Sequence, residues 1–264
     1  MLRTAETNGI QTRYSLTGPA GAPVVVLSHG LAADLSMWQP QIDVLSRSFN
    51  VLAYDIRGHG GSGTTPGEYT LELLAQDVLA LLDTLDIDKA HYVGLSLGGM
   101  IGQQFGAAHG ERLASLALCA TTSDAPKASW QARIVEARET GIPPLVEATV
   151  DRWVTPAFRQ SQPELMAQMR AMVLGTSLDG YLGCAAAIRD MTIAAGLGRI
   201  AVPTLVIAGA ADTSTPLPVL ERIASSIPGA ELQIVPDAAH MPTMESPELC
   251  NTLLERFLLA HSRG

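Results

Sequence analysis

The sequence of 264 residues is poor in cysteine, in aromatic residues and in positive charge. Its three cysteines are an odd number, lie far apart and form no Cys-x-x-Cys pair, so they predict reduced, packed thiols rather than a disulfide framework or a zinc site. The formal net charge of −9 at pH 7 offers no basic surface for nucleic acid or anionic lipid. Neither nucleic acid nor a membrane is therefore an expected partner.

Long apolar segments and nucleotide-binding motifs are also missing. No apolar run is long enough to cross a bilayer, and the opening residues, MLRTAETNGIQTRY, lack the apolar centre of a secretory signal, so we expect a cytoplasmic protein. Neither a Walker-type nor a dinucleotide-binding glycine pattern occurs, and we expect no cofactor and no metal. The expected partner is a small molecule, and the sequence leaves open whether the chain forms a homo-oligomer.

What the sequence does contain is an alternation of short apolar runs and amphipathic stretches. Because most of the runs are apolar throughout, they predict strands covered on both faces by helices, and hence a mainly parallel sheet. The apolar spacing in YTLELLAQDVLALLDTL predicts a helix with Thr70 as its N-cap and Glu72 in its first turn. PELCNTLLERFLLAHS predicts the last helix. The predicted strands cover residues 23–28, 49–55, 90–96, 113–121, 203–210 and 230–236.

The alternation stops between about Ser123 and Gly198, where only helical patterns occur. Strand–helix alternation predicts an α/β fold with right-handed crossovers, and ligands bind at the carboxyl edge of such a sheet. We therefore expect an α/β core formed by residues 1–122 and 199–264. Residues 123–198 are expected to form a helical cap over the carboxyl edge of the sheet, which is where a substrate pocket belongs.

One stretch, AHYVGLSLGGMIGQQF at residues 90–105, joins an apolar strand pattern to a helix pattern through a serine. It contains the motif G-x-S-x-G, with Gly94 and Gly98 two residues to either side of Ser96. A serine on a tight strand-to-helix turn needs neighbours without side chains at these two positions. The motif in this context predicts that Ser96 is a nucleophile, and a glycine-rich structural turn is the alternative.

A serine hydroxyl needs a base to take its proton. Of the six histidines, only His240 follows the last predicted strand and precedes the final helix, the position of the base in hydrolases with this order of elements. His59, in DIRGHGGS, is the weaker alternative. The carboxylate that orients the histidine is predicted to be Asp212, which follows a buried strand and gives the chain order Ser, Asp, His. Asp124 and Asp237 are the competing acids.

Negative charge that develops on a substrate carbonyl oxygen requires hydrogen-bond donors already in position. The residue after the nucleophile, Leu97, provides one backbone N–H. The turn SHGLAAD after the first central strand provides the other, which we assign to Leu31. Both donors belong to the main chain, so the identity of these two side chains matters little. A plain glycine turn is the alternative for SHGL.

The segments SHGL, DIRGHGGS, VGLSLGGMIG, PTLVIAGAADTSTP and DAAHMPTMESPE resemble the α/β-hydrolase superfamily over nearly the whole chain. Within that superfamily the chain is similar to the 3-oxoadipate enol-lactonases. This similarity lies in DLSMWQPQIDVLSRSFNVLAYDIRGHG, YTLELLAQDVLALLDTLDI and GYLGCAAAIRDM. The resemblance implies ring opening of an enol lactone to 3-oxoadipate through a serine acyl-enzyme, in the catabolism of aromatic compounds.

Such a substrate carries a carboxylate, which calls for a fixed cation in the pocket. Arg133 is the candidate cation and Trp130 the candidate wall, with a solvated arginine and a packing tryptophan as the alternatives. The chain departs from the lactonases at His29-Gly30, where they carry Ser-Asn, and after the histidine, where MPTME replaces a Ser-Asn-x-Glu run. A broad carboxylesterase with perhydrolase activity, like the cofactor-free haloperoxidases, and a non-enzymatic receptor remain alternative functions.

Overall fold

A computed structural model describes residues 1–262, and within them eight strands form a sheet. The strands are β1 (Leu2–Thr7), β2 (Ile10–Thr17), β3 (Val24–Ser28), β4 (Asn50–Tyr54), β5 (Ala90–Leu95), β6 (Leu113–Cys119), β7 (Thr204–Gly209) and β8 (Glu231–Val235). Their order across the sheet is β1-β2-β4-β3-β5-β6-β7-β8. The pairs β1–β2 and β2–β4 are antiparallel and the other pairs are parallel, so the predicted mainly parallel sheet is confirmed.

Helices cover both faces of this sheet, as predicted. The α-helices are α1 (Gln39–Leu45), α2 (Leu71–Thr84), α3 (Leu97–Ala108), α4 (Lys127–Thr140), α5 (Val146–Trp153), α6 (Pro156–Ser161), α7 (Pro163–Leu174), α8 (Leu178–Asp190), α9 (Leu217–Ser226), α10 (Pro242–Glu245) and α11 (Pro247–Ala260). Successive side chains of β3 point to opposite faces. Val25 and Leu27 pack in the core beneath α1 and α11, whereas Val26 packs in the core beneath α2, α3 and α9.

The predicted strands and helix start agree with the structure, but the first hairpin was not predicted. Each of the six apolar runs contains one of the strands β3 to β8. The hydroxyl of Thr70 accepts a hydrogen bond of 3.1 Å from the N–H of Leu73, which confirms the predicted N-cap. The unpredicted strands β1 and β2 are joined by Asn8 and Gly9, both with positive φ. Asn-Gly in this conformation is a strong hairpin signal.

The segment between β6 and β7 contains helices α4 to α8, and residues 123–198 contain no strand. We propose that residues 123–198 are a cap and that 1–122 and 199–264 are the core, of which residues 263 and 264 lie outside the described part of the chain. The start of α8 rests directly on the core. A Cβ built on Gly180 would lie 2.4 Å from the Cα of Gly58, so the two backbones touch.

Taken singly, none of the helices within residues 1–262 is both long and apolar enough to span a bilayer. Helices α7 and α8 reach the required length and composition only together, and they are bent by 90° where they meet.

Candidate active site

The turn between β5 and α3 holds Ser96 in a strained backbone conformation. Its φ is 53° and its ψ is −113°, a region that residues with a side chain rarely adopt. Neighbouring strand ends hold the turn in place. The N–H of Ser96 donates to the carbonyl oxygen of Cys119 at 2.9 Å, and the Thr121 hydroxyl donates to the carbonyl oxygen of Ser96 at 2.7 Å. These two hydrogen bonds therefore fix Ser96 to the chain at the end of β6.

The two glycines of the motif are required by close backbone contacts. A Cβ on Gly94 would lie 2.3 Å from the carbonyl oxygen of Gly98, and a Cβ on Gly98 would lie 2.1 Å from the carbonyl oxygen of Ser28. Real Cβ atoms do not approach backbone oxygens this closely, so any side chain would force the turn apart. The steric reason inferred from the sequence is thus confirmed at both positions.

The structure brings Ser96, His240 and Asp212 into one hydrogen-bonded chain. The Oγ of Ser96 lies 2.9 Å from Nε2 of His240, and Nδ1 of the same ring lies 2.8 Å from Oδ2 of Asp212. His240 is in the loop after β8, and Asp212 is in the loop after β7. The histidine and the aspartate are buried, at 7% and 4% exposure. With Nδ1 protonated, the ring donates to the carboxylate, and Nε2 is free to accept the serine proton.

Four hydrogen bonds hold the carboxylate of Asp212. Oδ1 accepts from the N–H of Ser214 at 2.7 Å and of Thr215 at 3.1 Å, while Oδ2 accepts from the Thr215 hydroxyl at 2.5 Å and from His240. Burial by itself raises the pKa of Asp212, but the His240 ring and the bonds from Thr215 outweigh burial and hold the pKa below its usual value. Sequence reasoning missed Thr215, although Asp followed by Ser or Thr is a known turn pattern.

The competing residues lie elsewhere. His59 is fully buried, and its Nδ1–H donates to the carbonyl oxygen of Arg57 at 3.1 Å. Burial, together with the nearby ring of His29, lowers the pKa of His59 to about 3, so this ring stays neutral. The acids Asp124 and Asp237 are both exposed, and neither is hydrogen-bonded to a histidine within residues 1–262. The structure therefore brings none of the three to Ser96.

The two predicted main-chain donors border the serine. Leu97 is the first residue of α3 and is buried, and its N–H has no acceptor among the hydrogen bonds of residues 1–262. The same is true of the Leu31 N–H. The turn that carries Leu31 adjoins Ser96, because a Cβ on Gly30 would lie 3.4 Å from the Cβ of Ser96. His29 fixes that turn by donating from Nδ1 to the Gly30 carbonyl oxygen at 2.7 Å.

In the proposed cap, Arg133 lies over the ring of Trp130, with its guanidinium carbon 4.7 Å from the ring centroid. Sequence reasoning missed a second arginine, Arg152 at the end of α5. Burial lowers the pKa of Arg152, and the positive charge of Arg133 lowers it further. The positive charges of both arginines oppose the rise in pKa that burial gives Tyr181, and we refer to these three side chains as the arginine cluster.

This cluster lacks a carboxylate partner and lies near the histidine loop. Neither Arg133 nor Arg152 forms an ion pair or donates a side-chain hydrogen bond to any residue between 1 and 262. The residue after Arg152 is Trp153, whose carbonyl oxygen accepts a hydrogen bond of 2.8 Å from the N–H of Met241. Met241 directly follows His240. Arg152 therefore adjoins the residue that contacts the loop carrying His240.

Cysteines and metal-ligating residues form no second centre in the described part of the chain. Cys119, Cys184 and Cys250 are all buried and free, which agrees with the predicted packed thiols. Burial raises the pKa of each of these thiols, so the reactive thiolate is disfavoured. Across residues 1–262, no group of three or more His, Cys, Asp or Glu side chains is arranged to hold a metal ion.

Comparison with known proteins agrees with this geometry. The family model described as the alpha/beta hydrolase fold matches residues 23–247. The chain belongs to the α/β-hydrolase fold family. It is 34% identical over 253 residues to 3-oxoadipate enol-lactonase 2 of Acinetobacter baylyi. The aligned residues cover 96% of this chain and 94% of that protein. The resemblance to the enol-lactonases seen in the motifs is thereby confirmed.

Solved structures of other α/β hydrolases match the whole chain. The enol-lactonase from Burkholderia xenovorans LB400 superposes with a TM-score of 0.95 and 36% identity, covering 97% of this chain and all of that one. A thermophilic esterase from Thermogutta terrifontis superposes with a TM-score of 0.92 and 28% identity, covering 99% of each chain. This α/β hydrolase is therefore similar to both lactone-cleaving and ester-cleaving relatives.

Proposed function

We propose that this α/β hydrolase is a serine enzyme that opens a carboxylate-bearing enol lactone of the 3-oxoadipate enol-lactone type. The observation that supports the proposal is the 2.9 Å contact between Ser96 Oγ and His240 Nε2, in a chain similar throughout to enol-lactonases. Such a substrate belongs to aromatic-compound catabolism in the cytoplasm. The reaction uses side chains and backbone N–H groups of the protein and no cofactor.

In the first step, Ser96 Oγ forms a bond to the lactone carbonyl carbon while His240 Nε2 takes the hydroxyl proton. The carboxylate of Asp212 keeps the ring in the tautomer that can accept this proton and stabilises the resulting imidazolium. The carbonyl oxygen becomes an oxyanion. The backbone N–H groups of Leu31 and Leu97, which have no acceptor within residues 1–262, donate to it.

In the second step, the bond between the carbonyl carbon and the ring oxygen breaks. The ring oxygen leaves as an enolate, takes the proton from His240 and stays attached to the acyl chain, where the enol converts to a ketone. Water then attacks the acyl-enzyme, with His240 accepting a water proton and returning it to Ser96. The product leaves with two carboxylates, one from the lactone carbonyl and one already present in the substrate.

The carboxylate already present in the substrate is assigned to the arginine cluster of the proposed cap. The charge of Arg133 disfavours the charged form of Arg152, and neither arginine has a carboxylate partner within residues 1–262, so an anion bound to them offsets this repulsion and gains charge-assisted hydrogen bonds. Trp130 holds the Arg133 guanidinium over its ring and forms the adjoining wall.

The test compares 3-oxoadipate enol lactone with a neutral aryl acetate. The wild-type enzyme is expected to prefer the lactone, and Arg133→Gln is expected to raise KM for the lactone about tenfold or more while leaving the neutral ester unchanged. Arg170→Gln is the matched control, because Arg170 is exposed and paired with Glu147. A wild-type preference for the neutral ester, with turnover of hydrogen peroxide to peracid, would instead assign the broad carboxylesterase function.

A fluorophosphonate probe separates either enzyme from a non-enzymatic receptor. The probe reacts with a serine activated by a base, so folded wild-type protein is expected to be labelled at Ser96. A folded protein that stays unlabelled would contradict the proposed hydrolase and favour the receptor.

A further inference from the structure

Glu245, the last residue of α10, connects the proposed cap to the loop that carries His240. Its Oε1 accepts hydrogen bonds of 2.8 Å from both the N–H and the hydroxyl of Thr155, at the start of α6 in the proposed cap. Its Oε2 accepts a hydrogen bond of 2.5 Å from the N–H of Ala239, the residue before His240. One carboxylate thus spans the boundary between the two parts of the chain.

A second hydrogen bond crosses the same boundary on the other side of the histidine. The N–H of Met241 donates to the carbonyl oxygen of Trp153 at 2.8 Å. The residues on both sides of His240 are therefore tied to the segment 153–155. This segment directly follows Arg152, one of the two arginines assigned to the substrate carboxylate.

The three groups that contact the Glu245 side chain, two from Thr155 and one from Ala239, all donate hydrogen bonds. They therefore call for a side chain with an acceptor oxygen on each side, which a carboxylate provides. Ionised carboxylate oxygens accept several hydrogen bonds at once, and bonds to a charged acceptor are stronger than neutral ones. Glu245 forms no ion pair with Lys, Arg or His in the described chain, so these three neutral donors are what hold its carboxylate in place. A glutamine has the same shape, but its NH₂ group must face either Thr155 or Ala239. Because a donor then meets a donor, the hydrogen bonds to that residue are lost.

We propose that Glu245 is a positioning residue that couples the seating of the cap to the orientation of His240. It does not touch the reacting atoms. It acts through Ala239, which sets where the imidazole meets the Ser96 hydroxyl, and through Thr155, which follows the arginine cluster. A displacement of about 1 Å at a catalytic group costs on the order of 100-fold in rate. When a bound substrate orders the cap, the hydrogen bonds through Glu245 therefore fix the position of His240. This inference rests on the proposed hydrolase function.

The experiment measures aryl acetate hydrolysis and fluorophosphonate labelling by Glu245→Gln. The expected result is a fall in kcat of about 10- to 100-fold with KM unchanged, and a parallel fall in the rate of labelling. Glu248→Gln is the matched control, since Glu248 lies three residues further on and is exposed. It is expected to keep wild-type kcat.

Two further measurements separate positioning from a structural role. The double variant Glu245→Gln, Thr155→Val is expected to lose no more kcat than Glu245→Gln alone, because both changes break the link from Thr155 through Glu245 to Ala239. Thr155→Val also removes the N-cap of α6, an effect on stability that the melting temperature measures. The NMR signal of the His240 Nδ1 proton is expected to broaden or shift in Glu245→Gln. If Glu245→Gln lowers the melting temperature by more than about 10 °C, Thr155→Val alone provides the test, with a smaller fall in kcat at unchanged KM.

The inference is overturned if Glu245→Gln keeps wild-type kcat and an unchanged Nδ1 proton signal. It is also overturned if the kcat losses of Glu245→Gln and Thr155→Val add in the double variant. Failure of the proposed function has a different result, in which wild-type protein neither hydrolyses esters nor reacts with the probe. In that case the NMR signal still reports whether Glu245 orients the histidine.

Discussion

The Nδ1 atom of His240 lies 2.8 Å from Oδ2 of Asp212, although the two residues belong to different loops at the edge of the sheet. An aspartate at this position keeps the proton on Nδ1. Asparagine offers an amide in its place and favours the wrong tautomer, so Asp212→Asn is expected to lower kcat by about 10⁴-fold with little change in the fold. Asp124→Asn is the control for a competing acid. Loss of activity in the Asp124 variant, with Asp212→Asn active, would reverse the assignment.

Replacing Ser96, the proposed nucleophile, tests the proposed acyl-enzyme directly. Ser96→Ala removes only the hydroxyl and leaves the strained turn and its glycines in place, so the melting temperature is expected to stay near that of wild type. Ester hydrolysis is expected to fall by at least about 10³-fold, and probe labelling to disappear. Turnover that persists at the wild-type rate would mean that another group attacks the substrate.

The glycine two residues after the serine has a measurable steric role. Gly98→Ala places a Cβ 2.1 Å from the carbonyl oxygen of Ser28, so the backbone must move and the free energy of unfolding is expected to fall by about 3 kcal/mol. Gly110→Ala is the control, because a Cβ at Gly110 meets nothing within 4 Å. Its effect is expected to stay within about 1 kcal/mol. Urea unfolding measures both, and equal stabilities would contradict the steric argument.

Buried histidines are expected to make the fold sensitive to acid. Burial lowers the pKa of His59 to about 3 and of His91 to about 4, whereas both rings regain ordinary values near 6.5 when the chain unfolds. At a pH between the folded-state and the unfolded-state pKa of each ring, the unfolded chain binds more protons than the folded chain. Stability is therefore complete above about pH 6.5 and falls as the pH drops, by up to about 1.4 kcal/mol per pH unit for each histidine.

The measurement is the urea unfolding midpoint from pH 7.5 to 5. His59→Asn retains a donor in place of Nδ1 but has no titrating ring, and it is expected to reduce the slope of the midpoint against pH. A midpoint that stays constant over this range in the wild-type protein would rule out the assigned protonation states.

Most of the sheet could be predicted because its strands are apolar on both faces. The runs that became β3 to β7 are buried on both faces, which leaves a continuous apolar pattern in the sequence, whereas β8 is a partly exposed edge strand with a mixed pattern. The strand β1 has an exposed face and lies at the edge of the sheet, so its pattern is weak. Only the turn at Asn8 and Gly9 marked the hairpin.

The sequence by itself determined the strand–turn–helix geometry at Ser96, because a Cβ at Gly94 would clash with Gly98 inside the motif, whereas the clash that demands Gly98 is with Ser28 at the end of the neighbouring strand β3. It also determined the order of strands and helices that brings loops to one edge. Only the tertiary structure decided which side chains meet there. His240 meets Ser96 across 144 residues of chain, and Glu245 acquires its role through a donor 90 residues away. Such contacts depend on how distant segments pack, and the local patterns of a sequence carry no record of that distance.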